Sequence, residues 1–335
     1  MSKKIYNPDT TETVNKIVGG NPSGIANFVS PTRKIYKTIF EGQIARFWNP
    51  ATINLTEDMK AVKELSDEEY RAYELTFGKL IFNDSIVTNR IMDNVNPLIT
   101  DPIANACIAF QAGEEALHSY SYAFIGDDVL DSQNIYNMVK LDNKLRFLAN
   151  SINNRYDRIF SKNIEPTNED KAFVAIANLC LEGVSFPAGF IVVWALGDKM
   201  KGSASMITEI SRNELGSHLP LYVNIYNHIK EDTGVNIDKL ARETILEAGE
   251  LEKEFLIYST KGVMGFNESA INNFMNWIVS NRLRELGLPY EDIKFNSSDG
   301  LIKIFKSYSE VNETKTNFFE GTVKNYSKQS LDMDF

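Results

Sequence analysis

Histidine is scarce: the 335 residues hold only His118, His218 and His228. Any metal site built on imidazole must draw on those positions. Cysteine is scarcer still, with Cys107 and Cys180 alone. Two thiols without CxxC spacing exclude a disulfide framework and a thiolate zinc site, and their apolar surroundings predict buried free thiols. Prolines number ten, few enough to permit long helices. Basic charge is in deficit, 35 Lys and Arg against 45 Asp and Glu, for a net charge of −10. That balance argues against a broad phosphate-binding surface and so against nucleic acid as a partner. The first thirty residues lack the basic start, apolar run and cleavage site of a signal peptide. No apolar stretch reads as the roughly 18 residues needed to cross a bilayer. The expectation is a cytoplasmic protein with no membrane partner.

What is present is helical periodicity. Residues 1–30, with Gly19-Gly20-Asn21-Pro22, read as an irregular N-terminus. A helix is expected through Tyr36 and Ile44 as far as Phe47-Trp48-Asn49, stopped by Pro50. Ser66-Asp67-Glu68-Glu69 is a capping box opening a long segment to about Val95, with Asp84 on or beside its apolar stripe. Asp101-Pro102 starts another helix that ends near Gly126. A charged helix from about Ser132 to Ser161 reads as scaffold. Thr167 opens a strongly apolar segment whose interior holds one acid, Glu182, with Pro187 forcing a kink or bulge close by. From Gly202 a helix carries Glu214 and His218, and two more span about Ile237–Tyr258 and Glu268–Leu286. After Pro289 periodicity fades. The whole reads as one all-α domain over residues 1–305, with a polar tail over 306–335.

Chemistry concentrates on Glu115-x-x-His118, two side chains one turn apart on one helix face, with Tyr122 a further turn along. Such pairs, supplemented by single acids from two other helices, build dinuclear carboxylate sites inside bundles. The chain supplies the remainder: Asp84, Glu182, and the pair Glu214 and His218. The order acid, Glu/His, acid, Glu/His uses two of the three histidines, and oxygen donors with two imidazoles suit iron or manganese. Tyr122 is the phenol nearest the ligands, and Phe186, Phe190 and Ile210 are candidates for an apolar cage around a radical. His228 reads as a surface residue.

These residues resemble the radical-generating small subunit of class I ribonucleotide reductase. The resemblance runs through Phe47-Trp48-Asn49-Pro50, Asp84-Ser85-Ile86, Glu115 to Tyr122, Leu181 to Phe186, Ser211 to Glu214, Phe318 to Gly321 and Asn325-Tyr326-Ser327. It implies a ferritin-like four-helix core with additional helices, and a homodimer holding two irons or two manganese ions. Asp84, Glu115, His118, Glu182, Glu214 and His218 would be the ligands and Tyr122 the radical site. Trp48 and Tyr326 would relay the radical to a large catalytic subunit that reduces ribonucleoside diphosphates. The acidic, aromatic end Asp332-Met333-Asp334-Phe335 would dock on that subunit. The resemblance leaves open which metal is used and whether an activating flavoprotein is needed. Two departures fall in one motif. Asn213 stands where the family has aspartate in the link from Trp48 to His118, and one extra residue precedes His218. That extra residue turns the histidine by about 100° on an ideal helix, so a local π-type bulge or a re-aimed ligand is expected. A stand-alone di-metal oxidase or oxygenase would share the ligands yet have no use for Trp48, Tyr326 or the tail. Metal storage, or a helical interaction protein, is the non-catalytic alternative.

Overall fold

The computed structural model describes residues 6–8, 10, 16–130, 132–161 and 164–309. Among these residues the chain is built from helices, without strands. Four long helical walls form the centre. The first, Asp67–Arg90, starts at the expected capping box, in which the Ser66 side chain accepts from the Glu69 amide and Glu69 returns the bond. The second, Pro102–Phe124, starts behind Asp101, whose carboxylate accepts from the amides of Ile103 and Ala104. The third begins at a Thr167/Asp170 capping box and comprises Asn168–Cys180, a π turn at Leu181–Ser185, and Phe186–Ala195. The fourth comprises Lys201–Asn213, a π turn at Glu214–His218, and Leu219–Thr233.

The fourth wall lacks a local cap. Buried Asp58 supplies one from elsewhere in the chain, accepting from the amides of Gly202 and Ser203 at 2.9 and 2.7 Å. A carboxylate there meets both the orphan amides and the positive end of the helix dipole. The first wall packs on the second, and the third on the fourth and on the first. Around this core lie Lys34–Ala45 against the second wall, the pair Asp238–Ser259 and Glu268–Glu285, and Gly300–Ser309 against Phe186–Ala195.

Three of the four π turns end two residues before a proline: Val95 before Pro97, Ser185 before Pro187, and His218 before Pro220. Proline cannot donate to the carbonyl four residues back, and widening the turn lets the helix pass that point. In the last two cases the carbonyl belongs to a glycine, Gly183 or Gly216. Each glycine also accommodates an arginine: a Cβ on Gly183 would lie 2.5 Å from Arg282 Cδ, and one on Gly216 would lie 2.9 Å from Arg46 Nε. The Gly-x-x-x-Pro spacing is legible in the sequence. The arginines come from distant segments and are not.

Several expectations need correction. The first helix ends at Ala45, before Trp48, so the indole sits in a loop and turns inward. The expected helix from Ser132 to Ser161 is broken into a 3-10 turn at Asn134–Asn137, a single turn at Met138–Leu141, and Asn143–Phe160, because Asp142 caps a new start. Beyond Pro289 a helix does form, at Gly300–Ser309, around buried Leu301, Ile302 and Phe305. The segment Asn168–Ala195 is apolar and long enough to cross a membrane, contrary to expectation, and its most apolar stretch is wholly buried inside the protein.

The Glu182 turn is held from below by an ion pair that sequence reading did not find. Lys79 Nζ lies 2.8 Å from Glu252 Oε2 and donates to the carbonyl of Ser185, the last residue of the turn, at 2.6 Å. The Ser185 hydroxyl donates to Glu252 and accepts from Asn83 Nδ2. Removing one partner strands a buried charge, so Lys79→Met should lower stability by about 3–5 kcal/mol, whereas K79M/E252M should recover most of the loss. Urea unfolding of the metal-free proteins measures both.

Candidate metal centre

The four walls bring the six predicted ligand residues to one place, and all six are fully buried. Asp84 comes from the first wall, Glu115 and His118 from the second, Glu182 from the π turn of the third. Glu214 and His218 are the first and last residues of the fourth wall's π turn. A π turn accommodates one residue more than an α turn. The extra residue before His218 is thereby absorbed, and the ring faces the same cluster as His118.

The donor atoms form two groups, Asp84, Glu115, His118 and Glu214 in one, and Glu115, Glu182, Glu214 and His218 in the other, each within a span of 4.8 Å. Glu115 and Glu214 belong to both. His118 Nδ1 lies 2.9 Å from Glu214 Oε1, 3.3 Å from Asp84 Oδ1 and 3.5 Å from Glu115 Oε2. His218 Nδ1 lies 2.9 Å from Glu214 Oε2, 3.1 Å from Glu115 Oε1 and 3.8 Å from Glu182 Oε2.

The outward nitrogens fix the tautomers. His218 Nε2 is 2.9 Å from Glu114 Oε2, and a carboxylate only accepts, so Nε2 carries a proton. His118 Nε2 is 3.2 Å from Asn213 Oδ1 and donates likewise. Asn213 cannot be flipped, because the same oxygen accepts from the Trp48 indole at 3.0 Å and its Nδ2 donates to Glu114 Oε1 at 2.8 Å. Both Nδ1 atoms can thus turn lone pairs toward the carboxylates. Gln111 Nε2 ties Glu115 Oε1 to Glu182 Oε1 at 3.0 and 2.9 Å, and the Tyr222 hydroxyl donates to Gln111 Oε1.

Electrostatics points to cations. Burial, reinforced by neighbouring carboxylates, pushes Glu182 well above the usual range. Burial does the same to Asp84, against the opposing pull of His118. Burial acts against the charged form of Glu214 too, but His218 and the hydrogen bonds around it hold it low. Both imidazoles are pushed well above their ordinary value despite burial, by Asp84, Glu115 and Glu214 around His118 and by Glu214 and Glu115 around His218. Without a metal, then, the cluster is neutralised by protons. Asp84 Oδ1 and Oδ2, Glu115 Oε2, Glu182 Oε2, Glu214 Oε1 and His118 Nδ1 have no hydrogen-bond partner. Buried oxygens and an imidazole nitrogen left open toward a common centre fit a pair of hard divalent cations.

Tyr122 is fully buried, its hydroxyl makes no hydrogen bond of regular geometry although the Asp84 carboxylate is close by, and burial followed by the charge and closeness of Asp84 raises its pKa far above normal. Its ring neighbour is Phe77, at 5.9 Å between centroids, a residue sequence reading did not single out. Phe186, Phe190 and Ile210 are fully buried in the same apolar core, with Phe186 and Phe190 stacked on each other. Tyr326 lies outside the described residues. His228 is not a surface residue: it is half-buried, with Nδ1 at 2.6 Å from the Tyr36 hydroxyl. Glu114 was missed for a simple reason. Adjacent helical residues do not share a face, so a search for ligands beside Glu115 passes over it.

A four-helix bundle with two Glu/His pairs and two single acids defines the ferritin-like dinuclear carboxylate proteins. Within that class the chain belongs to the ribonucleotide reductase small-chain family, whose model matches residues 27–294. It is 26% identical over 347 residues to the ribonucleoside-diphosphate reductase subunit beta of Halalkalibacterium halodurans, covering 100% of this chain and 98% of that one. Its fold is similar to that of the ribonucleotide reductase R2 subunit from Clostridium botulinum, with a TM-score of 0.85 at 24% identity, covering 92% and 98% of the two chains. It is also similar to Streptococcus sanguinis dimanganese(II)-NrdF, with a TM-score of 0.70 at 19% identity and coverage of 85% and 99%.

If the two donor groups each take a cation, anaerobic titration with manganese(II) should reach two ions per chain. Glu115→Ala and Glu214→Ala should each lower occupancy of both sites, and Asp84→Ala chiefly of one. Because the ions displace protons held by the imidazoles and raised acids, affinity should increase with pH.

Proposed function

We propose that this chain generates and stores the radical of a class I ribonucleoside-diphosphate reductase. Asp84, Glu115, His118, Glu182, Glu214 and His218 would hold two iron or two manganese ions, Glu115 and Glu214 being the two acids common to both donor groups. Bound there and oxidised by an external oxidant such as dioxygen, such ions would supply one-electron oxidising power beside the phenol. Tyr122 gives up that electron together with its phenolic proton, for which the Asp84 carboxylate is the adjacent base. The apolar core around the ring, including Phe77, Phe186, Phe190 and Ile210, excludes water and hydrogen-bond donors that would quench it. The observation that carries this reading is the pair of donor groups sharing two glutamates beside a buried, unbonded tyrosine hydroxyl.

Trp48 serves as the exit. Its indole is joined to His118 through the single oxygen of Asn213, at 3.0 and 3.2 Å. From there the hole travels by Tyr326, beyond the Gly300–Ser309 helix, to a cysteine of the large catalytic subunit. A stand-alone oxidase has no use for that link, which favours the reductase. The protein works as a cytoplasmic homodimer, and an activating flavoprotein is a candidate further partner.

Tyr122→Phe should keep the fold and both metals and abolish the organic radical signal in electron paramagnetic resonance. Trp48→Phe should keep that signal and lose turnover with the large subunit. Retention of the signal in Tyr122→Phe would place the radical elsewhere.

A further inference from the structure

Asn213 is neutral, fully buried, and pressed between an indole and an imidazole. Only one side of its amide touches a charge. Nδ2 donates to Glu114 Oε1 at 2.8 Å, and Glu114 is itself 2% exposed. The other oxygen of Glu114 is fully engaged too, meeting His218 Nε2 at 2.9 Å and Gln43 Nε2 at 3.1 Å. One carboxylate therefore stands behind one imidazole directly and behind the other through one amide. It also joins three elements: the Lys34–Ala45 helix through Gln43, the end of Lys201–Asn213, and the π turn that ends at His218.

We infer that Glu114 and Asn213 act as one carboxylate and amide pair, positioning both metal-binding imidazoles and the Trp48 link. Glu114 orients the Asn213 amide, because with a carboxylate at Nδ2 only the oxygen can face Trp48 and His118. It holds His218 in the tautomer that leaves Nδ1 free. The inference rests on the metal-centre reading for its meaning, while the pair itself is defined by the hydrogen bonds.

The donors and acceptors of such a pair are interchangeable only jointly. Asn213→Asp alone sets two carboxylates against each other where a 2.8 Å hydrogen bond had been, a contact that survives only if one of them takes up a proton. Glu114→Gln alone presents an amide to an amide and to His218, so one facing donor goes unanswered whichever way the new side chain turns. In E114Q/N213D the roles are exchanged: the amide nitrogen introduced at position 114 donates to the carboxylate introduced at position 213, and the amide oxygen accepts from His218 and Gln43. All three variants are isosteric, so a role in filling space would leave the four proteins alike.

The experiment compares wild type, E114Q, N213D and the double variant, full length. The readouts are the melting midpoint of the metal-free protein and manganese(II) affinity followed by electron paramagnetic resonance. Each single variant should weaken manganese binding about tenfold or more and lower the midpoint. The double variant should return to within about threefold of wild type, a strong departure from additivity. If N213D aggregates, recovery of soluble, cooperatively melting protein in the double variant takes its place. Losses in the double variant that multiply those of the singles, or an N213D protein equal to wild type, would overturn the pair. Absence of manganese binding by wild type would instead refute the metal reading, and the melting midpoints would still decide the pair.

Discussion

Four carboxylates converge in a space that water does not reach, and no lysine or arginine among the described residues pairs with any of them. Left ionised and uncompensated, they would repel one another in a low-dielectric interior by far more than a domain's net stability. The architecture is a set of answers to that problem. The two imidazoles lie among the acids and not outside them. Beyond them come amides, Gln111 and Asn213, which solvate without adding charge. Formal charge reappears one layer out, in Glu114, where Asn213, Gln43 and His218 answer it, and in the Lys79–Glu252 pair under the Glu182 turn. A cluster arranged in this way is compatible with either protons or cations, as a dinuclear metal site requires.

The helices must be deformed to bring the acids together. Glu182 and Glu214 both occupy π turns, and both turns lie just before a proline and include a glycine. The two glycines let Arg282 and Arg46 approach the helix surface where a methyl group would collide. The turn at Glu182 is braced further by Lys79, which donates to the Ser185 carbonyl at its end. A bulge costs backbone hydrogen bonds, and side chains from other segments pack or bond at both turns: Lys79 on the Ser185 carbonyl, and Arg46 on the Ser217 hydroxyl.

Much of this was legible in the sequence, and the boundary between what was and was not is physical. The capping boxes at Ser66 and Thr167 are local chemistry, and they start helices where expected. The order of acids and Glu/His pairs, with histidine so scarce, singled out six residues that the fold does bring together. The extra residue before His218 implied either a π-type bulge or a re-aimed ligand, and a π turn is present. What escaped depended on distant partners. Lys79 and Glu252 are far apart in the chain and look like surface charges individually. Asp58 caps a helix that begins long after it. Glu114 lies off the ligand face, and its importance appears only once Asn213, His218 and Gln43 surround it. The helix at Gly300–Ser309 follows polar turns that hide its periodicity, and it forms because Phe305 packs on Trp194 and Phe274.

Tyr122 shows how isolation itself can be a functional property. A buried hydroxyl without a partner costs roughly 1–3 kcal/mol relative to one that is hydrogen-bonded. The neighbouring phenols avoid that cost: Tyr73 bonds Ser203, Tyr156 bonds Asn178, and Tyr222 bonds Gln111. Tyr122, beside the ligand cluster, does not. For a folded protein this is a loss. For a phenol that must surrender an electron and a proton and then remain unreacted, every nearby donor or water molecule is a route to decay. The Phe77 ring beside it and the apolar core beyond offer none. Under the proposed function, the same tyrosine that weakens the fold is the one to hold the radical, and Trp48, tied to His118 through Asn213, is the route outward.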